Sequence, residues 1–199
     1  MTSDLLLGLV AFAFASSITP GPNNLMILAS GANFGAARSV PHVLGISVGF
    51  GAMIVLVGLG LGQVFETFPW ARPALAAVSV AYLLWLAWRI ASAPPPERAK
   101  ADGRPLTFAE AAAFQWVNPK AWTMALTAVT LYTAGGPLAV VPVAAVFTVV
   151  NLPSIGVWLL LGVQMRRWLT SPARLRAFNW TMAGLLVASL WPTVAPLLG

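Results

Sequence analysis

The sequence contains no cysteine and a single histidine, His42, among its 199 residues. Disulfides and thiolate metal sites are therefore excluded, and one imidazole cannot build a histidine-based metal cage. Charge is also scarce, because Asp, Glu, Lys and Arg make up 8% of the chain, whereas soluble domains carry about 25%. No Ser/His pair, paired carboxylates or metal cluster stands out, so we predict no enzyme, no catalytic residue, no metal site and no cofactor.

Apolar residues dominate what is present. They form 59% of the chain, and the mean hydropathy is +0.83. This composition predicts a polytopic membrane protein with the lipid bilayer as its partner. The net charge of +6 does not indicate a nucleic-acid partner, because the basic residues fall in short loops between apolar runs. The acidic residues fall at span ends or in loops, which favours a neutral or zwitterionic substrate over a metal ion.

Six apolar spans predict an all-α fold of six transmembrane helices. We place them at about Leu5–Asn33, Val43–Val64, Pro73–Ile90, Leu106–Tyr132, Leu138–Val163 and Phe178–Leu198. We expect the first span to be a retained helix rather than a signal peptide, because Asp4 replaces the usual positive charge. Residues 134–137 read as a tight turn. We expect His42 to lie at a loop edge rather than in a proton relay.

The loops fix an expected orientation. Loops one, three and five carry nine Lys and Arg residues and the other two carry one, so the odd loops should be cytoplasmic and both termini external. In the second span, Gly45 and Gly49 form a GxxxG pair that allows close helix contact. Packing within one protomer and a homodimer both use such pairs, and we favour the former.

The chain reads as one transmembrane domain, residues 1–199, with two halves. Repeat 1 covers about 1–92, a cytoplasmic linker about 93–105, and repeat 2 about 106–199. Each half opens with a span broken by proline, and Pro20 and Pro119 lie 99 residues apart. With three spans per half, the second half must be inserted upside down. The prediction is a 3+3 inverted-topology repeat with broken first and fourth helices, which is typical of secondary transporters.

Two proline breaks form the predicted site. Proline lacks an amide hydrogen and is favoured at the first position of a helix. A half-helix starting at Pro22 would leave the amides of Asn23, Asn24 and Leu25 free, and one starting at Pro119 would follow the N-cap Asn118. Because helix N-termini attract anions, we predict that a substrate carboxylate binds there. The predicted substrate-binding residues are Pro20, Gly21, Pro22, Asn23, Asn24, Asn118, Pro119, Lys120 and Thr123.

Each feature also has an ordinary structural explanation. The Pro-Gly-Pro sequence could be a packing kink, and Lys120 could reach the interface, although it lies about 20 Å into its span. Thr123 lies on a threonine face with Gln115 upstream, yet threonine also bonds its own helix. Asn151 and Pro153 fit a third break or a kink equally well. An ionisable side chain inside a membrane span costs free energy, so the position of Lys120 favours a functional role.

The two broken segments resemble a known family. Thr19-Pro20-Gly21-Pro22-Asn23 and Phe114-Gln115-Trp116-Val117-Asn118-Pro119-Lys120-Ala121-Trp122 are similar to motifs of the lysine exporter / homoserine–threonine resistance (LysE/RhtB) translocators. The resemblance implies an exporter of amino acids or related metabolites in the bacterial inner membrane, with protons as coupling ion. The alternatives are a cation or metal exporter, or a non-transporting structural membrane component.

Overall fold

The computed structural model describes residues 2–93, 103–133 and 137–195. Within these ranges the regular secondary structure is entirely helical, which confirms the all-α class. The α-helices are α1 (Ser3–Ile18), α2 (Pro22–Phe34), α3 (Ala36–Gly58), α4 (Val64–Thr67), α5 (Ala71–Ala91), α6 (Phe108–Phe114), α7 (Pro119–Tyr132), α8 (Val140–Arg166), α9 (Pro172–Ala188) and α10 (Trp191–Val194). The linker residues 94–102, most of the turn at 134–137 and the last four residues lie outside the described ranges.

Three helices of the described part are long and apolar enough to cross a membrane: α3, α5 and α8. The pair α1 and α2, bent by 56° at its break, counts as a fourth candidate span. The fourth predicted span is divided into α6 and α7. The sixth is the 17-residue α9, which has two arginines in its first turns. Broken or polar segments of this kind fall short of the length that a continuous span needs.

Helix α8 is the central packing element, since α1, α2 and α3 all lie against it. Helix α3 also contacts α6 and α7, and α5 packs on α9. Where α2 crosses α8, glycine allows direct backbone contact. A Cβ at Gly31 would lie 2.5 Å from the Leu159 carbonyl oxygen, and one at Gly162 would overlap the Leu28 carbonyl oxygen. Only a residue without a side chain fits so close a crossing.

The glycine pair of α3 serves packing within the protomer. A Cβ at Gly45 would overlap the Phe108 carbonyl oxygen, and one at Gly49 would lie 2.5 Å from the Ala112 Cα. Both neighbours belong to α6, so the pair brings the second helix against the fourth predicted span. The GxxxG pair therefore packs against a helix of the same protomer, as predicted from the sequence.

The buried apolar residues form two clusters, and both breaks lie where the chain passes between them. One cluster takes residues from α2 and α6, and the other takes residues from α1 and α7. Helices α3 and α8 run through both, and α5 and α9 belong to the first cluster. The polar side chains of the two breaks therefore lie between the two apolar clusters of the core.

Two predictions about single residues are resolved by these helices. The prediction that His42 lies at a loop edge is wrong, because α3 begins at Ala36 and His42 is buried inside it. The preceding turn is only Gly35, whose φ of 81° lets the chain reverse in one residue. Helix α8 continues through Pro153, so the Asn151–Pro153 segment forms no third break.

Candidate functional site

The first break is a short extended segment. Thr19 and Gly21 both have extended backbone angles, and Gly21 is the N-cap of α2 with Pro22 at its first position. The carbonyl groups freed at the end of α1 are bonded by side chains. The Asn24 amide donates to the carbonyl oxygens of Ser17 at 2.8 Å and Thr19 at 2.7 Å. The cost of unpaired backbone groups at this depth explains why an asparagine stands here.

A tryptophan from the second half supports the same break. The indole Nε1 of Trp158, on α8, donates to the Ile18 carbonyl oxygen at 3.0 Å. The last carbonyl of α1 thus has a partner 140 residues away in the chain. This bond fixes the end of α1 against α8.

The second break follows the pattern that the sequence predicts. Asn118 is extended and is the N-cap of α7, with Pro119 next. The Asn118 side-chain oxygen accepts a bond from the Lys120 amide at 3.2 Å. A 3₁₀ turn at Gln115–Val117 separates this cap from α6. The side-chain cap supplies the partner that the first free amide of α7 lacks.

Lys120 joins the two breaks. Its ammonium donates to the carbonyl oxygen of Thr19 at 2.7 Å and to the Thr19 hydroxyl at 2.9 Å, and lies 3.5 Å from the Pro20 carbonyl oxygen. The ammonium thus occupies the negative end of the α1 dipole. A Cβ at Gly21 would lie 2.7 Å from Lys120 Cδ. The missing side chain of Gly21 therefore makes room for the lysine.

An amide pair between half-buried Asn23 and buried Gln115 forms the second link between the breaks. The Asn23 side chain donates to Gln115 Oε1 at 2.9 Å, and Gln115 donates back to Asn23 Oδ1 at 3.2 Å. Gln115 also bonds the Ala111 carbonyl oxygen at 2.8 Å and is fully buried. Sequence reasoning placed Gln115 outside the predicted site, although its position three residues before Asn118 was an available signal.

Two cavities meet at Lys120 and Gly21, and together they are lined by all nine predicted site residues. The first, here the inter-break cavity, has a volume of about 20 Å³, room for about one water molecule. It is lined by Ser16, Ser17, Gly21, Asn23, Asn24, Phe50, Gln115, Asn118, Lys120, Ala121, Met124 and Asn151. The second, here the Ser189 cavity, has about 470 Å³. It is lined by Pro20, Gly21, Pro22, Pro119, Lys120, Thr123, Ala188, Ser189, Trp191, Pro192 and Thr193.

Three details of the site differ from the prediction. The Leu25 amide is not free, because it donates to the Gly21 carbonyl oxygen at 3.0 Å. The Lys120 ammonium is bonded to carbonyl groups instead of standing open for an anion. The Thr123 hydroxyl bonds the Pro119 carbonyl oxygen of its own helix at 3.1 Å. Within the described ranges, no three His, Asp or Glu residues cluster as metal ligands would.

Comparison with known proteins decides the family of this chain. Residues 14–191 match the family of LysE type translocators. The chain belongs to the LysE-type translocator family. It is 29% identical over 192 residues to a Cysteine/O-acetylserine efflux protein of Klebsiella pneumoniae subsp. pneumoniae, covering 94% of this chain and 95% of that protein. It is 32% identical over 136 residues to the protein of that name in Escherichia coli strain K12, covering 66% and 67%.

Membership of the LysE family confirms the resemblance carried by the two proline motifs. The chain is a multi-pass membrane translocator and not an enzyme. No solved structure matches it significantly.

Proposed function

We propose that this LysE-family protein exports small amino acids or close derivatives across the bacterial inner membrane, by alternating access around its paired breaks. The relatives named as Cysteine/O-acetylserine efflux proteins support a substrate with a small polar side chain. Transport is driven by the proton gradient in this proposal, as the family resemblance implies.

The substrate carboxylate is held by the Lys120 ammonium and by the first amides of α2 in this proposal. The observation that carries it is the Lys120 side chain itself, which lies between two cavities and bonds the opposite break. The inter-break cavity is too small for an amino acid, whereas the Ser189 cavity is within the usual size of small-molecule sites. A substrate carboxylate would approach from the Ser189 cavity. It would replace the Thr19 carbonyl oxygen as hydrogen-bond partner of the Lys120 ammonium.

Six spans in an inverted 3+3 arrangement are part of the proposal. The helix contacts support it, because they fall into matching pairs when the halves are exchanged. Helix α1 packs on α8 as α6 packs on α3, and α2 packs on α8 as α7 packs on α3. The pairs α3 with α8 and α5 with α9 map onto themselves. The loop charges support a cytoplasmic linker and external termini in this arrangement.

Export from proteoliposomes tests the site. Lys120→Met should weaken substrate binding by about 10- to 150-fold, because a hydrogen bond to a charged group contributes about 1.5–3 kcal/mol. Lys120→Arg should retain part of the transport, because the positive charge stays. The matched control is Arg176→Met, which makes the same charge change at an exposed position of α9. Transport of cysteine and O-acetylserine by Lys120→Met at the unmodified rate and affinity would reject the proposed site.

A further inference from the structure

A third cavity lies toward the other end of α2. It has a volume of about 70 Å³ and is here called the His42 cavity. Ten residues separate Asn23 at the breaks from Asn33 in this cavity, which is about 15 Å of helix. The walls come from α2, α3, α5 and the segment before α6, through Met26, Ala29, Ser30, Asn33, Phe34, His42, Leu86, Arg89, Ile90, Ala93, Arg104, Pro105 and Leu106.

His42 contributes two buried ring nitrogens to this cavity, and neither has a hydrogen-bond partner among the described residues that would explain its burial. The side chain is 2% exposed. Leaving one buried polar atom unpaired costs about 1–3 kcal/mol, and buried polar groups in folded proteins are nearly always paired. A ring that lines a cavity with both nitrogens unpaired is suited to bind a polar molecule there.

The remaining polar wall offers one positive charge and neutral groups. Arg89 is half-buried, with its guanidinium 5.0 Å from the centre of the Trp85 ring. Within the described ranges it forms no ion pair, whereas Arg104 is held by Glu110, with one bond of 2.7 Å. Arg104 and Glu110 together therefore add almost no net charge to the wall of the cavity. Arg89 is thus available to a carboxylate, because a guanidinium binds carboxylates with two parallel bonds.

Two buried side chains add hydrogen-bonding groups beside His42. Asn33 donates to Asn179 Oδ1 at 3.0 Å and accepts from Asn179 Nδ2 at 3.4 Å. Ser30 bonds the Ser39 hydroxyl at 2.8 Å. An amide oxygen and a hydroxyl still have acceptor capacity after these bonds. A neutral imidazole supplies one further acceptor and one donor. These acceptors suit an ammonium group.

The cavity has room for a polar guest. A volume of 70 Å³ corresponds to about two water molecules at about 30 Å³ each, so a serine or cysteine zwitterion fits once the surrounding side chains move apart. The inter-break cavity has less than a third of that volume. Among the described residues of the wall, one guanidinium lacks an ion pair, and it matches a single carboxylate better than a phosphate, which would bring more negative charge than these residues neutralise.

We propose that the His42 cavity is a second binding site, which takes the zwitterion of a small amino acid. Arg89 binds the carboxylate, and His42 binds the ammonium or the polar side chain. The inference rests on the proposed function, because it concerns the same class of substrate. It adds a site about 15 Å from the breaks, on the side where the loop charges place the cytoplasm, from which an exported molecule enters.

The absence of native cysteine allows a direct test. Ala93→Cys places one thiol in the wall of the His42 cavity, and Ala37→Cys places one on an exposed position near the same end of α3. Alkylation by N-ethylmaleimide is timed in purified protein with and without L-serine. We expect saturating L-serine to slow alkylation of the Ala93→Cys variant several-fold and to leave the Ala37→Cys control unchanged. L-serine methyl ester, which has no carboxylate, should not protect.

Second-site variants separate this inference from the proposed function. Arg89→Gln or His42→Phe should abolish the protection, and His42→Gln, which keeps hydrogen-bonding groups, should retain part of it if the phenylalanine variant fails to fold. Lys120→Met should leave the protection intact. Equal reactivity with and without L-serine, or loss of protection in Lys120→Met, would overturn the second site. Export by the same Ala93→Cys protein after reconstitution into proteoliposomes then shows whether the proposed function still stands.

Discussion

A methyl group added at Gly162 should force α2 and α8 apart. Its Cβ would overlap the Leu28 carbonyl oxygen and lie 3.1 Å from the Ala32 amide nitrogen. Both obstacles are backbone atoms of a helix, so no side chain can rotate away to relieve the contact. Gly156 lies six residues earlier in the same helix, and a Cβ there meets no atom within 4 Å. Gly156→Ala is therefore a matched control.

The expected magnitude follows from two opposing terms. Replacing glycine by alanine inside a helix stabilises by about 0.8–1.0 kcal/mol, and this gain is common to both variants. Overpacking a well-packed contact costs about 1–3 kcal/mol, and only Gly162→Ala incurs it. The free energy of unfolding of Gly162→Ala should thus be about 1–3 kcal/mol lower than that of Gly156→Ala. At about 2–4 °C per kcal/mol for a chain of this size, the Tm values should differ by about 2–12 °C.

Thermal unfolding followed by tryptophan fluorescence in detergent measures this difference. The comparison is between two Gly→Ala variants of one helix, so detergent and propensity effects cancel. If Gly162→Ala unfolds at the temperature of Gly156→Ala or above it, the close crossing of α2 and α8 is not as described.

Three further substitutions test single contacts of the breaks by the same thermal measurement. Gln115→Leu leaves the half-buried Asn23 amide without its partner and should cost about 1 kcal/mol; an unchanged Tm would contradict the amide pair. Asn118→Ala removes the cap of α7 and should cost about 1 kcal/mol, whereas Asn118→Ser should keep most of the stability; equal losses in both would speak against capping. Trp158→Phe removes the bond to the Ile18 carbonyl and should cost about 1 kcal/mol, and a gain in stability would refute that bond.

The breaks themselves could be predicted from the sequence because proline acts locally. Pro22 and Pro119 each begin a helix, and Asn118 caps the second one, as their chemistry requires. Membership of the LysE family could be predicted because the same local motifs carry the resemblance.

Contacts between distant residues could not be predicted in the same way. The carbonyl groups that Lys120 bonds lie 100 and 101 residues away, and Gln115 pairs with a residue 92 positions upstream. The predicted site joins the two breaks, but no local pattern indicates which atoms of one break bond which atoms of the other. The inverted arrangement of six spans stays a prediction, since the described helices include three or four candidate spans.

His42 was misplaced for a different reason. The residues between the first two predicted spans, 34–42, are expected from the sequence to form a loop. Arg38 among them lies instead in the first turn of α3, where it donates to the Gly103 carbonyl oxygen at 2.8 Å. A one-residue turn at Gly35 leaves no room for a longer loop. The positive φ of Gly35 thus lets α3 begin early enough to include the histidine, and composition does not reveal that angle.

Helix α2 borders the inter-break cavity with its first turn and the His42 cavity with its remaining turns. Its 13 residues form a stiff rod about 20 Å long. A displacement of the whole rod at its crossing with α8, through Gly31 and Gly162, would therefore change the shape of both cavities. Lys120 lies on α7, so its substitution removes a charge without displacing that rod.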